Sequence, residues 1–225
     1  MNRRAFVMST LASAVGLSAA ARLAAQKKTI QPDLSALADG KGFQLFNRSV
    51  SRFTDGAKNG ARLSEAPGEG VAFLPGIEFG DGTIECDLKG KDVPQQSFLG
   101  IAFHGVDSTT YDAVYFRPFN FRATDSTRHS HAVEYVSHPQ WTWQRLRTEH
   151  PGVYERAVVP EPDGDEWFHV RIVVERPKVS VFVNGRAEPS LVVDELSDRS
   201  HGSLGVWVGE GSPGYFANLR VTRAR

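Results

Sequence analysis

The chain has 225 residues, of which 40% are hydrophobic and 23% charged, and this composition is typical of a globular protein. The 26 Lys and Arg residues balance the 26 Asp and Glu residues. Because there is no basic excess, the composition argues against a nucleic-acid partner, and no acidic excess indicates a solvating tail. The length fits one β-sandwich domain preceded by a leader.

Residues 1–25 have the layout of an export signal. The pair Arg3 and Arg4 precedes an apolar, Ala-rich run with small residues where cleavage would occur. The run Asn-Arg-Arg-Ala-Phe-Val resembles a twin-arginine export signal, and a plain secretory leader or an uncleaved anchor is the alternative. We expect cleavage near residues 21–25 and a periplasmic or secreted protein without a membrane span once the leader is removed.

Residues 26–41 read as a polar linker or a first short turn, and 42–225 as the domain. Cys86 is the single cysteine, so no internal disulfide can form. In GTIECDL it alternates with acidic residues on the side of Ile84 and Leu88, which predicts a buried thiol.

From Gly42 onward, short runs of alternating apolar and polar residues recur between Gly, Pro, Asn-Gly and Asp-Gly turn signals. One segment, 141–152, predicts a short helix or a long loop. The runs that predict strands are 42–48, 70–75, 82–88, 97–105, 111–118, 131–137, 167–175, 178–185, 203–209 and 215–222.

The strongest local pattern is a β-hairpin at 167–185. Apolar side chains alternate along both of its strands, and Asn184-Gly185 follows the second strand. The pattern predicts one face buried in a core, formed by Phe168, Val170, Ile172, Val174, Val179, Val181 and Val183.

Six sequence runs carry resemblances to known families. The runs WFHVRIVV and VSVFVNG, followed by a distant FANLRV, resemble the concanavalin A-like lectin/glucanase superfamily. That resemblance implies an all-β fold, a jelly-roll sandwich of two antiparallel sheets. The runs GDGTIECDLKG, FLGIAFHG and YDAVYFRP are similar to the 3-keto-disaccharide hydrolase domain family and to laminin-G-like domains. Because one sandwich hosts lectins, hydrolases, lyases and adhesion modules, the fold alone does not give the activity.

The strand at 111–118 presents an unusual polar face. Tyr111, Tyr115 and Arg117 share one side because side chains alternate along a strand. In the resembling fold a concave sheet face lines the ligand groove, which implies that Tyr115 and Arg117 bind substrate. The fork of donors on an arginine fits a carboxylate or sugar hydroxyls. The alternative is a structural ion pair.

Glu134 and His131 are the candidate catalytic residues, as an acid or base with a histidine partner. The alternative for Glu134 is a salt bridge to an arginine such as Arg117. A retaining glucanase mechanism is disfavoured, since it needs two carboxylates across the bond and the E-x-D-x-x-E signature keeps only Glu85 and Asp87. We expect these two carboxylates to be exposed on a sheet surface.

Trp141 and Trp143 are candidate substrate-binding residues, because aromatic rings stack on the apolar faces of sugars and amphipathic aromatics are common at binding surfaces. The alternative is core packing beneath a long loop.

No metal site or other cofactor is predicted. His129 and His131 have a spacing that can bring two imidazoles to one metal, but no third ligand is identifiable. The acidic turn 162–166 leaves calcium open, although calcium needs six or more oxygens and a plain Asp-Gly turn fits the sequence better.

These patterns together predict an exported carbohydrate-active protein with a carbohydrate or glycoside ligand, and the family resemblance suggests hydrolysis or elimination of a 3-keto-glycoside. The alternatives are a non-catalytic carbohydrate-binding or adhesion module and a structural domain without a small ligand. Convergence of Glu134, His131 and Arg117 in a cleft would favour the enzyme. A flat face with exposed tryptophans would favour the binder.

Overall fold

The computed structural model describes residues 28–40 and 42–224. The predicted leader, 1–25, lies outside the described residues, and the export that it implies remains a prediction. No helix among the described residues is long and apolar enough to cross a membrane.

The described residues form fifteen strands, three short helices and one 3₁₀ turn. The helices are α1 (Leu34–Asp39), α2 (Ser126–Ser130) and α3 (Trp143–Glu149), and the 3₁₀ turn is Pro118–Asn120. The strands are β1 (Thr29–Ile30), β2 (Gln44–Phe46), β3 (Val50–Asp55), β4 (Lys58–Leu63), β5 (Gly70–Phe79), β6 (Gly82–Lys89), β7 (Leu99–Gly105), β8 (Tyr111–Phe116), β9 (Val133–His138), β10 (Glu155–Arg156), β11 (Phe168–Glu175), β12 (Lys178–Val183), β13 (Leu191–Asp194), β14 (Gly202–Val208) and β15 (Gly214–Arg223).

The strands build two antiparallel sheets. The eight-stranded sheet has the order β13-β12-β11-β6-β15-β4-β3, with β1 also paired to β15. The seven-stranded sheet has the order β10-β9-β8-β7-β14-β5-β2, and it ends in edge strands of two and three residues. Aromatic rings join the two sheets, since Phe116 of β8 packs on Phe168 of β11 with centroids 5.2 Å apart. The predicted all-β, two-sheet antiparallel sandwich is confirmed.

The hairpin β11–β12 forms as predicted. Val170 pairs with Val183, Ile172 with Val181, and Val174 with Val179, and all six side chains are fully buried. The turn between the two strands is Arg176-Pro177. Asn184 and Gly185 follow β12 with φ angles of 50° and 72°, and the amide of Arg186 donates to the carbonyl of Val183 at 3.2 Å, so this second predicted turn also forms. Cys86 is also buried, as predicted.

Strand β8 is buried along its whole length, on both faces. Val114 and Phe116 point into the core between the sheets, whereas Tyr111 and Tyr115 point to the opposite face of the seven-stranded sheet. Polar groups on a strand covered on both sides need hydrogen-bond partners, because an unpaired buried polar group is costly. Networks on both faces of β8 supply these partners.

The segment expected to be a linker differs from that expectation in its described part. Strand β1 pairs with β15, and α1 buries Leu34 and Ala38 against the domain. Asp33 begins α1 as its N-cap, with a carboxylate that accepts hydrogen bonds from the amides of Ser35 and Ala36. Two apolar residues four apart are enough to give a short helix a buried side. Because the rest of the segment is polar, its composition did not predict this helix.

The expected exposure of Asp87 is wrong. This residue is only 8% exposed, and its carboxylate accepts hydrogen bonds from Lys58 and Asn218, both at 2.6 Å. His169 Nδ1 lies 2.8 Å from its other oxygen. The reason is that β6 lies inside the eight-stranded sheet, where polar side chains of neighbouring strands converge on Asp87. Glu85 is half-buried, so its expected exposure is also only partial.

Candidate active site

A cleft of about 640 Å³ lies over the face of the seven-stranded sheet that points away from the core. Strands β8, β9 and β14 form its floor, and α3 forms part of its rim. Among the residues that line it are Glu69, Phe98, Tyr115, Arg117, His131, His138, Trp143, Arg147 and Trp207.

One line of polar residues crosses three neighbouring strands. Tyr115 on β8 is directly opposite Glu134 on β9, and Glu134 is directly opposite Glu155 on β10. The Tyr115 hydroxyl donates to Glu134 Oε2 at 2.8 Å. Arg117, which follows β8, donates through Nη2 to Tyr115 Oη and Glu134 Oε2, both at 2.5 Å. Arg117 also donates through Nη1 to the carbonyl of His131 at 2.9 Å. Four of the six predicted site residues therefore meet here.

Glu155 belongs to the same cluster, although the sequence analysis did not identify it. Arg147 of α3 binds both of its carboxylate oxygens, at 3.0 and 2.7 Å. His131 Nε2 lies 3.1 Å from Glu155 Oε1, and Arg117 Nη1 lies 3.9 Å from Glu155 Oε2. A strand of two residues is too short to show alternation of apolar and polar residues, so the sequence pattern could not predict the position of Glu155.

The cluster holds two carboxylates beside two guanidinium groups. Burial raises the pKa of Glu134, and the positive charge of Arg117 counteracts this effect. Burial also raises the pKa of Tyr115 well above its ordinary range, so Tyr115 is a neutral phenol that donates to Glu134. Burial lowers the pKa of His131, which favours a neutral imidazole at neutral pH.

Burial opposes the charge of Arg117, but the carboxylates of Glu134 and Glu155 more than offset this and raise its pKa. Arg117 is therefore protonated at the floor of the cleft, where it forms an ion pair with Glu134.

A second group of polar residues lies at the other end of the floor. Tyr111 donates to Glu69 Oε2 at 2.8 Å and accepts from Trp207 Nε1 at 3.0 Å. His138 Nε2 lies 3.5 Å from Glu69 Oε2, and burial lowers the pKa of His138. The Trp207 ring lies 4.9 Å from the Tyr115 ring, so an aromatic floor joins the two groups.

A sequence signal for Trp207 existed. In SLGVWVG it alternates with Gly205 and Ser203, away from the apolar residues of β14, which places a large aromatic side chain on the face opposite the core.

The two candidate tryptophans lie in different environments. Trp143 is 39% exposed and lines the cleft. Trp141 is not among the lining residues, and its ring packs between His150 at 5.4 Å and the guanidinium of Arg145 at 4.1 Å. The difference arises at Thr142, the N-cap of α3, where the chain changes from extended to helical between the two rings.

The candidate metal ligands of the sequence analysis bind other partners. His129 Nε2 lies 2.9 Å from Glu161, whereas His131 faces Glu155, so the two imidazoles turn to different carboxylates. In the acidic turn, Asp163 accepts hydrogen bonds from Arg122 at 2.6 Å and from the amide of Asp165 at 3.1 Å.

Comparison with protein families gives a match over residues 33–222 to a family described as the 3-keto-alpha-glucoside-1,2-lyase-like domain. No curated protein sequence matches the chain.

Several solved structures share the fold. A carbohydrate-binding module, CBM66 from Bacillus subtilis, superposes with a TM-score of 0.58 at 13% identity, covering 80% of this chain and 96% of that one. A Parabacteroides distasonis protein provisionally described as a glycosyl hydrolase gives a TM-score of 0.50 at 16% identity, with 84% and 93% covered. The exoplasmic/lumenal domain of VIP36, in a form bound to Ca²⁺ and Man3GlcNAc, gives 0.50 at 12% identity, with 83% and 85% covered. At such low identity these likenesses establish the sandwich fold alone.

Proposed function

The chain belongs to the 3-keto-alpha-glucoside-1,2-lyase-like domain family, and from this membership we propose that it is a lyase that eliminates the substituent at C1 of a 3-keto-glycoside. The observation that carries the proposal is the convergence of Arg117, Glu134 and His131 at one end of the cleft. A binding surface needs no base beside a fixed positive charge, whereas an elimination needs both.

The reaction is a β-elimination and needs no oxidant or reductant. A ketone at C3 makes the hydrogen at C2 acidic, because the carbanion formed at C2 is delocalised onto O3 as an enolate. A base takes the C2 proton, the C1–O bond breaks, and a double bond forms between C1 and C2. The departing oxygen takes up a proton, so atoms and charges balance.

His131 is the base in this proposal. Its imidazole lines the cleft, and burial lowers its pKa, so the neutral form that accepts a proton is favoured at neutral pH. The Glu155 carboxylate lies 3.1 Å from Nε2, where it would stabilise the imidazolium formed after proton transfer. The same imidazolium can return the proton to the departing oxygen.

Arg117 and Tyr115 face the substrate at the cleft floor in this proposal. A positive charge held in a partly desolvated site stabilises a developing enolate oxygen more than the same charge in water does. Glu134 is only 1% exposed and lies beneath these two side chains, so we assign it the role of positioning them. Trp143 at the rim and Trp207 on the floor offer ring faces to the sugar.

The experiment uses a 3-keto-α-glucoside with a chromogenic aglycone, and the same compound deuterated at C2. We expect aglycone release with a primary isotope effect at C2, and no release from the parent glucoside, whose C2 hydrogen is not acidic. His131→Gln should slow release by about 10²-fold to 10⁴-fold, the usual contribution of a general base.

The matched control is His201→Gln, which changes an exposed histidine outside the cleft. The proposal fails if wild-type protein releases no aglycone, or if release from the deuterated compound is equally fast and His131→Gln is as active as the control.

One observation favours a second function, a non-catalytic carbohydrate-binding module. Arg117 is 5% exposed, and Tyr115, Glu134 and the His131 carbonyl already accept three of its hydrogen bonds. A glycan array would distinguish the two functions. A binding module should retain unoxidised glycosides with Trp143-dependent affinity and leave the 3-keto compound intact.

A further inference from the structure

A second cluster of ionisable side chains lies behind the cleft, on the core side of β8. Asp112 of β8 and His104 of β7 are fully buried, and the Glu195 side chain, just after β13, is 5% exposed. Asp112 and Tyr111 are neighbours in sequence but face opposite sides of the sheet. The cluster is therefore separate from the site proposed for elimination.

Three potential metal-ligand atoms, from His104, Asp112 and Glu195, lie within 4.8 Å of one another in this cluster. His104 Nε2 lies 3.3 Å from the carbonyl oxygen of Gly80, to which it can only donate. In the neutral tautomer with its proton on Nε2, Nδ1 has a lone pair to offer a cation, and this atom faces Asp112 Oδ2 at 3.1 Å and Glu195 Oε1 at 3.5 Å. Glu195 Oε1 is buried and has no hydrogen-bond partner among the described residues. A cation bound between the three atoms would give each of them a partner.

The other oxygens of the two carboxylates are held by cations of the protein. Arg199 donates to Asp112 Oδ1 at 2.8 Å, and Arg176 Nε lies 3.9 Å from Glu195 Oε2. Tyr135 donates to Asp112 Oδ1 at 3.1 Å, while the Ser197 hydroxyl lies 3.2 Å from Oδ1 and 3.0 Å from Oδ2. These contacts fix the orientation of both carboxylates, as outer-shell partners do for carboxylates that bind a metal.

We propose that His104 Nδ1, Asp112 Oδ2 and Glu195 Oε1 bind one divalent transition-metal ion, of the Zn²⁺ or Mn²⁺ class. Ligand atoms at about 2.1 Å from such an ion lie roughly 3.0 to 3.4 Å from one another. His104 Nδ1 lies 3.1 Å from Asp112 Oδ2 and 3.5 Å from Glu195 Oε1, and all three atoms lie within 4.8 Å of one another. One imidazole and two carboxylates suit a borderline ion better than calcium, which prefers oxygen ligands only. The Nε2–H bond to a backbone carbonyl is the usual second partner of a metal-bound histidine.

The ion would fasten the segment after β13 to β7 and β8, and so fix the sheet that carries the cleft. A structural ion that binds only the folded chain raises Tm. At a hundredfold excess over Kd we expect a rise of about 5 to 10 °C for a domain of this size.

The test uses untagged full-length mature protein, treated with EDTA and then titrated with Zn²⁺ or Mn²⁺ by calorimetry, with Ca²⁺ as the comparison. We expect one equivalent of transition metal to bind, and Co²⁺ to give a visible spectrum typical of nitrogen and oxygen ligands. Glu195→Gln, which keeps the side-chain shape, should weaken binding at least tenfold. The control Glu188→Gln changes a carboxylate that is 75% exposed and should bind as wild type.

Four outcomes would overturn the proposal. The first is wild-type protein that neither binds one equivalent nor gains thermal stability, a result that needs no variant to fold. The second is Glu195→Gln protein with unchanged affinity, and the third is tighter binding of Ca²⁺ than of Zn²⁺ or Mn²⁺. An NMR spectrum in which both His104 nitrogens carry protons, with metal present, would show that a proton fills the site instead.

Discussion

Arg117 is a buried cation whose charge is balanced by Glu134 beneath it and by Glu155 beside it. The same guanidinium lines the cleft and pairs with Glu134, so the ion pair of the sequence-based alternatives is present, and substrate binding by Arg117 stays a prediction. Its effect on stability should therefore be large, in contrast to that of an arginine on a solvated sheet face.

Replacing Arg117 with alanine should lower the free energy of unfolding by about 3 to 5 kcal/mol, because Glu134 would remain as an uncompensated buried charge. Adding Glu134→Gln to that variant should restore part of the loss. Urea unfolding at pH 7 measures both effects. Arg145→Ala is the control, since its partly exposed pair with Glu149 on α3 is worth only about 0.3 to 0.5 kcal/mol. Equal stability of Arg117→Ala and the control would mean that the pair is effectively solvated.

The two tryptophans on either side of Thr142 make a matched pair of variants. Trp143→Ala should raise KM for a 3-keto-glycoside about 2-fold to 10-fold with little effect on stability, because it removes a rim contact worth roughly 0.5 to 1.5 kcal/mol. Trp141→Ala should instead lower the free energy of unfolding by about 2 kcal/mol, less than a fully buried aromatic residue would cost. Steady-state kinetics and urea unfolding of both variants test this contrast, and reversed effects would exchange the two roles.

At the scale of elements, Asp87 of β6 joins four strands of the eight-stranded sheet. Its carboxylate contacts the side chains of Lys58 on β4, His169 on β11 and Asn218 on β15. Burial alone would raise the pKa of Asp87, but these hydrogen bonds lower it well below its ordinary value. The hydrogen bond to Asp87 raises the pKa of His169 above its ordinary value. A network in which both partners are charged is therefore strongest in a limited pH range.

The two shifts have opposite consequences for stability. Asp87 stabilises the fold above its ordinary pKa of 3.8, and this contribution is lost as pH falls below that value. His169 stabilises the fold below its ordinary pKa of 6.5, and its contribution is lost as pH rises through the higher pKa of the folded state. The network should thus contribute most between about pH 4 and 6.5.

His169→Gln should remove the loss of stability on the alkaline side of this range. The measurement is the free energy of unfolding in urea from pH 3 to 9, taken as the difference between wild type and variant at each pH. His201→Gln, an exposed histidine, serves as the control. A wild-type-minus-variant difference that stays constant across the range would contradict the assignment.

Elements with regular alternation were predictable from the sequence, and irregular ones were not. The hairpin β11–β12 and strands β6 to β9 follow from a period of two, which is set by burial of one face. The hairpin β3–β4 was missed because Val50–Asp55 and Lys58–Leu63 mix charged and apolar residues without a clean period. Strands β1 and β10 have two residues each, and tertiary pairing alone defines them.

For the whole molecule, the sandwich was predictable because its core consists of local patterns that repeat along the chain. The cleft was predictable only in part, since Tyr115, Arg117, His131 and Glu134 lie near one another in sequence and on adjacent strands. Glu69, Glu155 and Trp207 come from distant segments, and only the strand order brings them to the same face. Nothing in a linear pattern encodes that order.

The seven-stranded sheet ends in very short edge strands, and this should limit association between copies in concentrated solution. Strands β10 and β2, of two and three residues, leave few free backbone amides and carbonyls at either edge. A neighbouring copy that approached edge to edge would find too short a ladder to extend, which is a common protection of β proteins against fibre growth. The sheet that carries the cleft is therefore guarded against aggregation by the brevity of its outermost strands.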